Sequence, residues 1–87
     1  MNLLVFSVFD DKGGVYGNPI FVNNRAVAVR SFSDAVQAEG SNFAKHAADY
    51  KLYYLGSFDN VSGELIKLNV PEFVCHAPDF VEVTKED

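Results

Sequence analysis

The fold of this chain is decided by residues 49–65, DYKLYYLGSFDNVSGEL. β-Forming residues dominate positions 50–58, and a second such run, LIKLNV, begins at Leu65. Between the runs, the Asp59 side chain can accept hydrogen bonds from backbone amides of the turn, and Gly63 can adopt the positive φ that closes it. The pattern predicts a β-hairpin with its loop at residues 60–63. When these residues are considered alone, the simplest interpretation is an ordinary hairpin with no function of its own.

Length and composition predict one small soluble domain. Hydrophobic residues make up 48% of the 87 positions and charged residues 22%, which argues against disorder along most of the chain. A domain of this size buries only about 60–65% of its unfolded surface, so oligomerisation would help it. The longest apolar run is too short for a membrane helix, and the first residues lack a basic secretory start. We therefore expect a protein of the cytoplasm with no membrane partner.

The charge is unevenly distributed. The net charge is −5, which opposes non-specific adhesion to nucleic acid. Most of this charge lies near the end of the chain, so we expect a domain at residues 1–70 and an acidic segment at residues 71–87. That segment is interpreted as a solubilising end, as an interaction arm, or as a nucleic-acid mimic that competes for a basic surface.

The rest of the chain predicts one main helix and further strands. Residues 3–9 form a nearly continuous apolar run typical of a central strand, whereas Pro19 makes residues 16–22 irregular or an edge strand. Asn23 or Asn24 can cap a helix over residues 25–39, which carries an apolar stripe centred on Phe32 and ends at Gly40.

A short helical turn after Ser41 and a short strand at residues 80–83 complete the expected elements. The predicted fold class is α+β: a small, largely antiparallel sheet with one main helix packed on one face. One helix covers only one face of the sheet. Regular alternation along the hairpin places Leu52, Tyr54, Phe58, Leu65 and Lys67 together on the face away from the helix, with Tyr53 on the other face.

Catalytic patterns are weak in this sequence. Gly13-Gly14 follows a strand without the lysine and hydroxyl residue of a phosphate loop, and His46 and His76 have no carboxylate at a spacing that would make either a base. Asp10-Asp11 suits a solvated turn better than a metal site, and the lone Cys75 suits a buried or idle thiol. We expect no enzymatic activity, no cofactor and no metal.

Features of a single-strand binder are present. Aromatic residues make up 14% of the chain, and several lie beside cations. A sheet face with exposed rings and flanking Lys or Arg can stack bases and neutralise phosphates. The candidate nucleic-acid-binding residues are Tyr54, Phe58 and Lys67 on the hairpin, followed by Lys51, Arg25 and Arg30.

Longer stretches of the sequence match one viral family in order and spacing. They are FSVFD at 6–10, NPIFV at 18–22, AVRSFSDAV at 28–36, AKH at 44–46, DYKL at 49–52, LGSFD at 55–59 and SG at 62–63. In these stretches the chain resembles the nonstructural protein of gokushovirus-type microviruses, which are small single-stranded DNA phages. The resemblance implies a DNA-binding protein of the host bacterial cytoplasm, absent from the mature particle, that acts in the change from duplex replication to single-strand synthesis.

Two functional hypotheses stay open at this point. In the first, a homodimer or higher oligomer binds single-stranded DNA through a sheet face, with weak to moderate affinity. In the second, the protein is an interaction module that redirects a viral or host replication protein without touching DNA, which suits the acidic balance. Phosphate contacts make binding fall steeply with salt and an apolar protein interface does not, so salt dependence separates the two.

Overall fold

The computed structural model describes residues 2–80, which form an α+β domain. In chain order its elements are β1 (Asn2–Asp10), β2 (Val15–Tyr16), β3 (Ile20–Val22), α1 (Arg25–Gln37), α2 (Asn42–Lys45), a 3-10 turn (Ala47–Asp49), β4 (Tyr50–Asp59), β5 (Leu65–His76) and a second 3-10 turn (Ala77–Phe80). The predicted fold class is confirmed, because one antiparallel sheet carries one main helix on one of its faces.

The strand β1 lies in the middle of the sheet, as its apolar run predicts. One edge of β1 pairs with β4, and β4 in turn pairs with β5. Its other edge pairs with β2 and then with β3, which are two pieces of one edge strand separated by residues 17–19. The interruption contains Pro19, which has no N–H for a ladder hydrogen bond. Ser7 closes the gap, since its buried hydroxyl donates to the carbonyl of Gly17 at 2.7 Å.

The helix α1 begins where the sequence places its cap. The Asn24 side chain accepts a hydrogen bond from the Val27 N–H at 3.0 Å, and the helix ends at Gln37, two residues before the predicted end. Its buried residues Ala28, Phe32 and Val36 are spaced by four, so they form one stripe. This stripe packs on Phe6 of β1 and Leu52 of β4 to form the core.

The structure confirms the turn of the predicted hairpin. The Asp59 carboxylate accepts hydrogen bonds from the N–H groups of Val61 and Ser62 at 2.9 and 3.3 Å, and these bonds lower the pKa of Asp59. The Gly63 N–H donates to the Asp59 carbonyl at 2.7 Å, with Gly63 at a φ of 82°. The turn chemistry of two residues therefore fixes where the chain reverses.

The predicted faces of the hairpin are only partly right because β4 contains a bulge. Val5 pairs with Gly56 whereas Phe6 pairs with Tyr54, so Leu55 is an extra residue in β4. One extra residue reverses the alternation of side chains between the two faces. Tyr54 consequently packs on the helix side, against the core, and Phe58 lies on the opposite face. The predicted places of Leu52 and Tyr54 away from the helix, and of Tyr53 on the helix side, are therefore wrong. Phe58, Leu65 and Lys67 lie on the predicted face.

The bulge forms at a close approach of two strands. A Cβ on Gly56 would lie 2.0 Å from the carbonyl oxygen of Ile66, and Gly56 has a φ of 156°. Only glycine fits both constraints without strain. Opposite this point β5 is also irregular, since its pairing with β4 passes from Lys67 directly to Glu72.

The sheet extends beyond residue 70. The strand β5 runs without a break through that position, so residues 71–76 belong to the sheet. Ala77 is fully buried in the core, and Phe80 contacts Phe32 with ring centroids 6.0 Å apart. Phe80 lies in a 3-10 turn, and the rest of the strand predicted at residues 80–83 lies outside the described residues.

Replacing Phe32 tests the core. Phe32 is 3% exposed, so Phe32→Ala leaves a cavity beneath α1 and should destabilise the protein by about 3–5 kcal/mol. Val27→Ala, on the exposed side of the same helix, is the control and should change stability little. Urea denaturation measures both, and equal midpoints for the two variants would contradict this placement of Phe32.

Replacing Gly56 tests the bulge. Gly56→Ala forces a methyl group into the Ile66 carbonyl, so we expect a loss of roughly 1–3 kcal/mol and faster amide exchange in β4 and β5. Gly17→Ala is the control, since its Cβ would lie 3.7 Å from the nearest atom, the Val8 carbonyl oxygen. If Gly56→Ala is as stable as Gly17→Ala, the strands do not approach as described.

Candidate nucleic-acid interface

The face of the sheet away from α1 carries contacting aromatic rings. Paired residues of an antiparallel sheet point to the same face, so the pairings of β1, β2, β4 and β5 arrange these side chains in rows across the strands. We call this set the aromatic face, and its members are Phe9, Tyr16, Lys51, Tyr53, Phe73 and His76.

Tyr53 lies at the centre of the aromatic face. Its ring centroid is 6.2 Å from that of Phe9, 5.8 Å from that of Tyr16 and 5.9 Å from that of Phe73. The planes of all three pairs are close to perpendicular, which is a favourable edge-to-face arrangement. Phe9 and Tyr16 also contact each other, at 4.8 Å, so the rings hold one another in place.

Two rings of this cluster are open to solvent. Tyr16 is 40% exposed and Phe73 is 49% exposed. Both contact Tyr53, so they lie on the same small patch of surface, one on β2 and the other on β5. Exposed rings grouped in this way mark a binding surface more often than isolated ones do.

A second group of apolar side chains lies further along the same face. We call it the distal patch, and its members are Phe21, Phe58, Leu65 and Lys67. The rings of Phe21 and Phe58 contact edge to face with centroids 5.5 Å apart, and Phe21 is 46% exposed. Next to the distal patch, an apolar groove of about 170 Å³ is lined by Val5, Leu55 and Ile66 among others.

Lys51 is held by an ion pair with a loop residue. Its Nζ donates a hydrogen bond to Oδ2 of Asp11, which raises the pKa of Lys51. Asp11 is itself fixed, because its backbone N–H donates to the carbonyl of Asp49 at 2.8 Å. The cation of the aromatic face is therefore charged but already paired.

His76 lies beside Phe73 and near a second carboxylate. The two rings are 6.1 Å apart, and Nδ1 of His76 is 3.2 Å from Oδ1 of Asp79. Nδ1 of His76 makes no hydrogen bond within the described residues. The neighbouring Cys75 packs against the core, and its burial raises the pKa of the thiol, which therefore stays protonated near neutral pH.

The six candidate residues from the sequence are not brought together. Lys51 lies in the aromatic face, while Phe58 and Lys67 lie in the distal patch. Tyr54 is on the helix side, with its ring centroid 5.2 Å from that of Phe6, so its predicted place away from the helix is wrong.

The two arginines belong to a different part of the surface. Arg25 and Arg30 are both on α1, which covers the opposite side of the sheet. Nη1 of Arg25 donates to Oε2 of Glu72 at 3.1 Å, which partly neutralises its charge. These residues are separated from the aromatic face by the sheet.

Sequence reasoning missed most of the aromatic face. Phe9 has a detectable signal, because it ends a strand in which every second residue shares a face. Tyr16 and Phe73 have none, since no local pattern reveals that β2 and β5 lie on either side of the same pair of strands. Phe73 also falls in the segment that the charge pattern separates from the domain.

Within residues 2–80, no group of three or more His, Cys, Asp or Glu side chains is placed to hold a metal ion. No helix in this range is long and apolar enough to cross a membrane.

A family model matches most of the chain. The family model described as Phage ORF5 protein matches residues 3–80, which is nearly the whole described domain. No curated protein and no solved structure matches the chain significantly.

Proposed function

We propose that this chain, which belongs to the Phage ORF5 protein family and is therefore a phage protein, binds single-stranded DNA without catalysing a reaction. The aromatic face is the proposed binding surface. The proposed role is in the change from duplex replication to single-strand synthesis in the host cytoplasm, which follows from the resemblance of the sequence to microvirus nonstructural proteins.

The observation that carries this proposal is the pair of exposed rings on either side of Tyr53. Tyr16 and Phe73 each present a ring to solvent, and contacts with Tyr53 hold both in place. Bases of a single strand are free to stack on such rings, whereas bases inside a duplex already stack on each other. Each stacked base contributes about 1–3 kcal/mol, and the rings are ordered before binding.

Electrostatics contribute less than stacking in this proposal. The chain has a net charge of −5, and the ammonium of Lys51 is already paired with Asp11. Lys67, in the distal patch, is exposed and donates to the neighbouring Leu68 carbonyl at 3.2 Å. We therefore expect modest affinity with a shallow dependence on salt.

The rings are tested by leucine substitution. Tyr16→Leu and Phe73→Leu keep an apolar side chain but remove the ring, so each should weaken binding of a labelled oligothymidine by about 1–3 kcal/mol. Val27→Ala, on the exposed side of α1, is the control and should bind as the parent does. Fluorescence anisotropy at low and physiological salt measures the affinities, with duplex of the same length as the competing ligand. Unchanged affinity in both leucine variants would exclude this face.

Substitutions of the residues predicted from the sequence should affect DNA binding in different ways in the same assay. Phe58→Ala should weaken binding only if the strand extends to the distal patch, and Lys67→Ala should make the salt slope shallower by roughly 0.7. Tyr54→Ala removes a core contact, so it should lower the melting temperature instead of acting on DNA specifically.

A second candidate function, a protein-interaction module, is favoured by the apolar surface of β5. Leu65, Ile66 and Val70 are 66%, 50% and 74% exposed. Among the described strands β5 pairs only with β4, so its outer edge is open to another chain. A homo-oligomer or a replication protein of the phage or its host would cover this surface.

Oligomeric state provides a direct test of that surface. Because one helix covers only one face of the sheet, we expect the protein to assemble at micromolar concentration. Light scattering should then give a mass above the 9.6 kDa of one chain. A mass of one chain at every concentration would contradict this expectation. Measuring mass and DNA affinity on the same samples shows whether assembly and binding use the same residues.

A further inference from the structure

We infer that Asp11 restrains nucleic-acid binding by occupying Lys51, so that a DNA phosphate must displace this carboxylate to reach the cation of the aromatic face. This inference rests on the proposed function and concerns the regulation of the same site.

The position of Lys51 makes it the natural phosphate contact of the aromatic face. It pairs across the strands with Phe9 on one side and His76 on the other, and Tyr53 follows it on the same face of β4. A nucleotide that stacks on Tyr16 or Phe73 therefore places its phosphate within reach of this row. Phosphate contacts by Lys are what make nucleic-acid affinity depend on salt.

Hydrogen bonds of the surrounding loop position Asp11. The Asp11 N–H donates to the Asp49 carbonyl at 2.8 Å, and the Asp10 side chain accepts the Lys12 N–H at 3.0 Å. The Gly14 N–H donates to the Asp10 carbonyl at 2.7 Å, which closes the turn. Both side chains of the ion pair are partly shielded, with Lys51 27% and Asp11 39% exposed. The carboxylate is thus a fixed competitor for the position that a phosphate would take.

Removing the charge of Asp11 tests the inference. Asp11→Asn keeps an oxygen that can accept a hydrogen bond from Lys51 but removes the negative charge. The positive charge of Lys51 is then available to a phosphate. One added phosphate contact steepens the slope of log K against log salt by about 0.7, so lowering salt tenfold should strengthen binding about fivefold more than in the parent. Asp34→Asn, at an exposed position of α1, makes the same change in net charge and is the control.

A double variant separates local from general electrostatics. The gain in Asp11→Asn should disappear in Asp11→Asn/Lys51→Ala, because no cation is left to meet the phosphate. Circular dichroism establishes that each variant is folded, and Asp11→Ser serves as a second variant at this exposed loop position. Oligothymidine anisotropy between 20 and 200 mM salt is a suitable readout, a range chosen to span about one decade.

The salt slopes of the variants, together with binding by the parent, test both the inference and the proposed function. A steeper slope in Asp11→Asn than in Asp34→Asn, lost in the double variant, supports the inference. Equal slopes in the two single variants, with parent binding that still depends on Tyr16 and Phe73, overturn the inference and leave the proposed function standing. If neither the parent nor Asp11→Asn binds the oligonucleotide, both are overturned together.

Discussion

A sheet with apolar side chains on both faces and one helix to cover them must leave one face to solvent, and the rest of this structure depends on that constraint. The stripe of α1 centred on Phe32 covers Phe6 and Leu52 on one side. Tyr16 and Phe73 remain exposed on the other. Burial of large aromatic surface would normally stabilise so small a domain, and the exposed cluster of rings is therefore the basis of the proposed binding function.

The bulge at Leu55 determines what the exposed face contains. Without the extra residue, Tyr54 and Phe58 would share a face, as the regular alternation of a strand requires. With it, Tyr54 supports the core and Phe58 joins Phe21 in the distal patch. Gly56 makes the bulge possible because its backbone meets the Ile66 carbonyl where a side chain would clash. Backbone geometry at one position thus decides which aromatic residues support the core and which lie on the opposite face.

Charge distinguishes this surface from a typical basic DNA groove. Lys51 is paired with Asp11 and Arg25 with Glu72, so two of the cations named from the sequence already have carboxylate partners within the protein. Rings then carry the larger share of any affinity for a single strand, and phosphates a smaller one. In the proposed function, this balance reconciles an aromatic face with an acidic chain.

The sequence by itself determined the elements whose signals are local. The cap at Asn24, the stripe through Phe32, the turn from Asp59 to Gly63 and the edge broken at Pro19 each depend on residues a few positions apart. Tertiary structure alone decided which side chains meet. The contact between Tyr16 and Tyr53, and the ion pair between Lys51 and Asp11, join residues about forty positions apart through strand order and register. Neither local propensity nor period contains that information, because a bulge of one residue is enough to reverse a face.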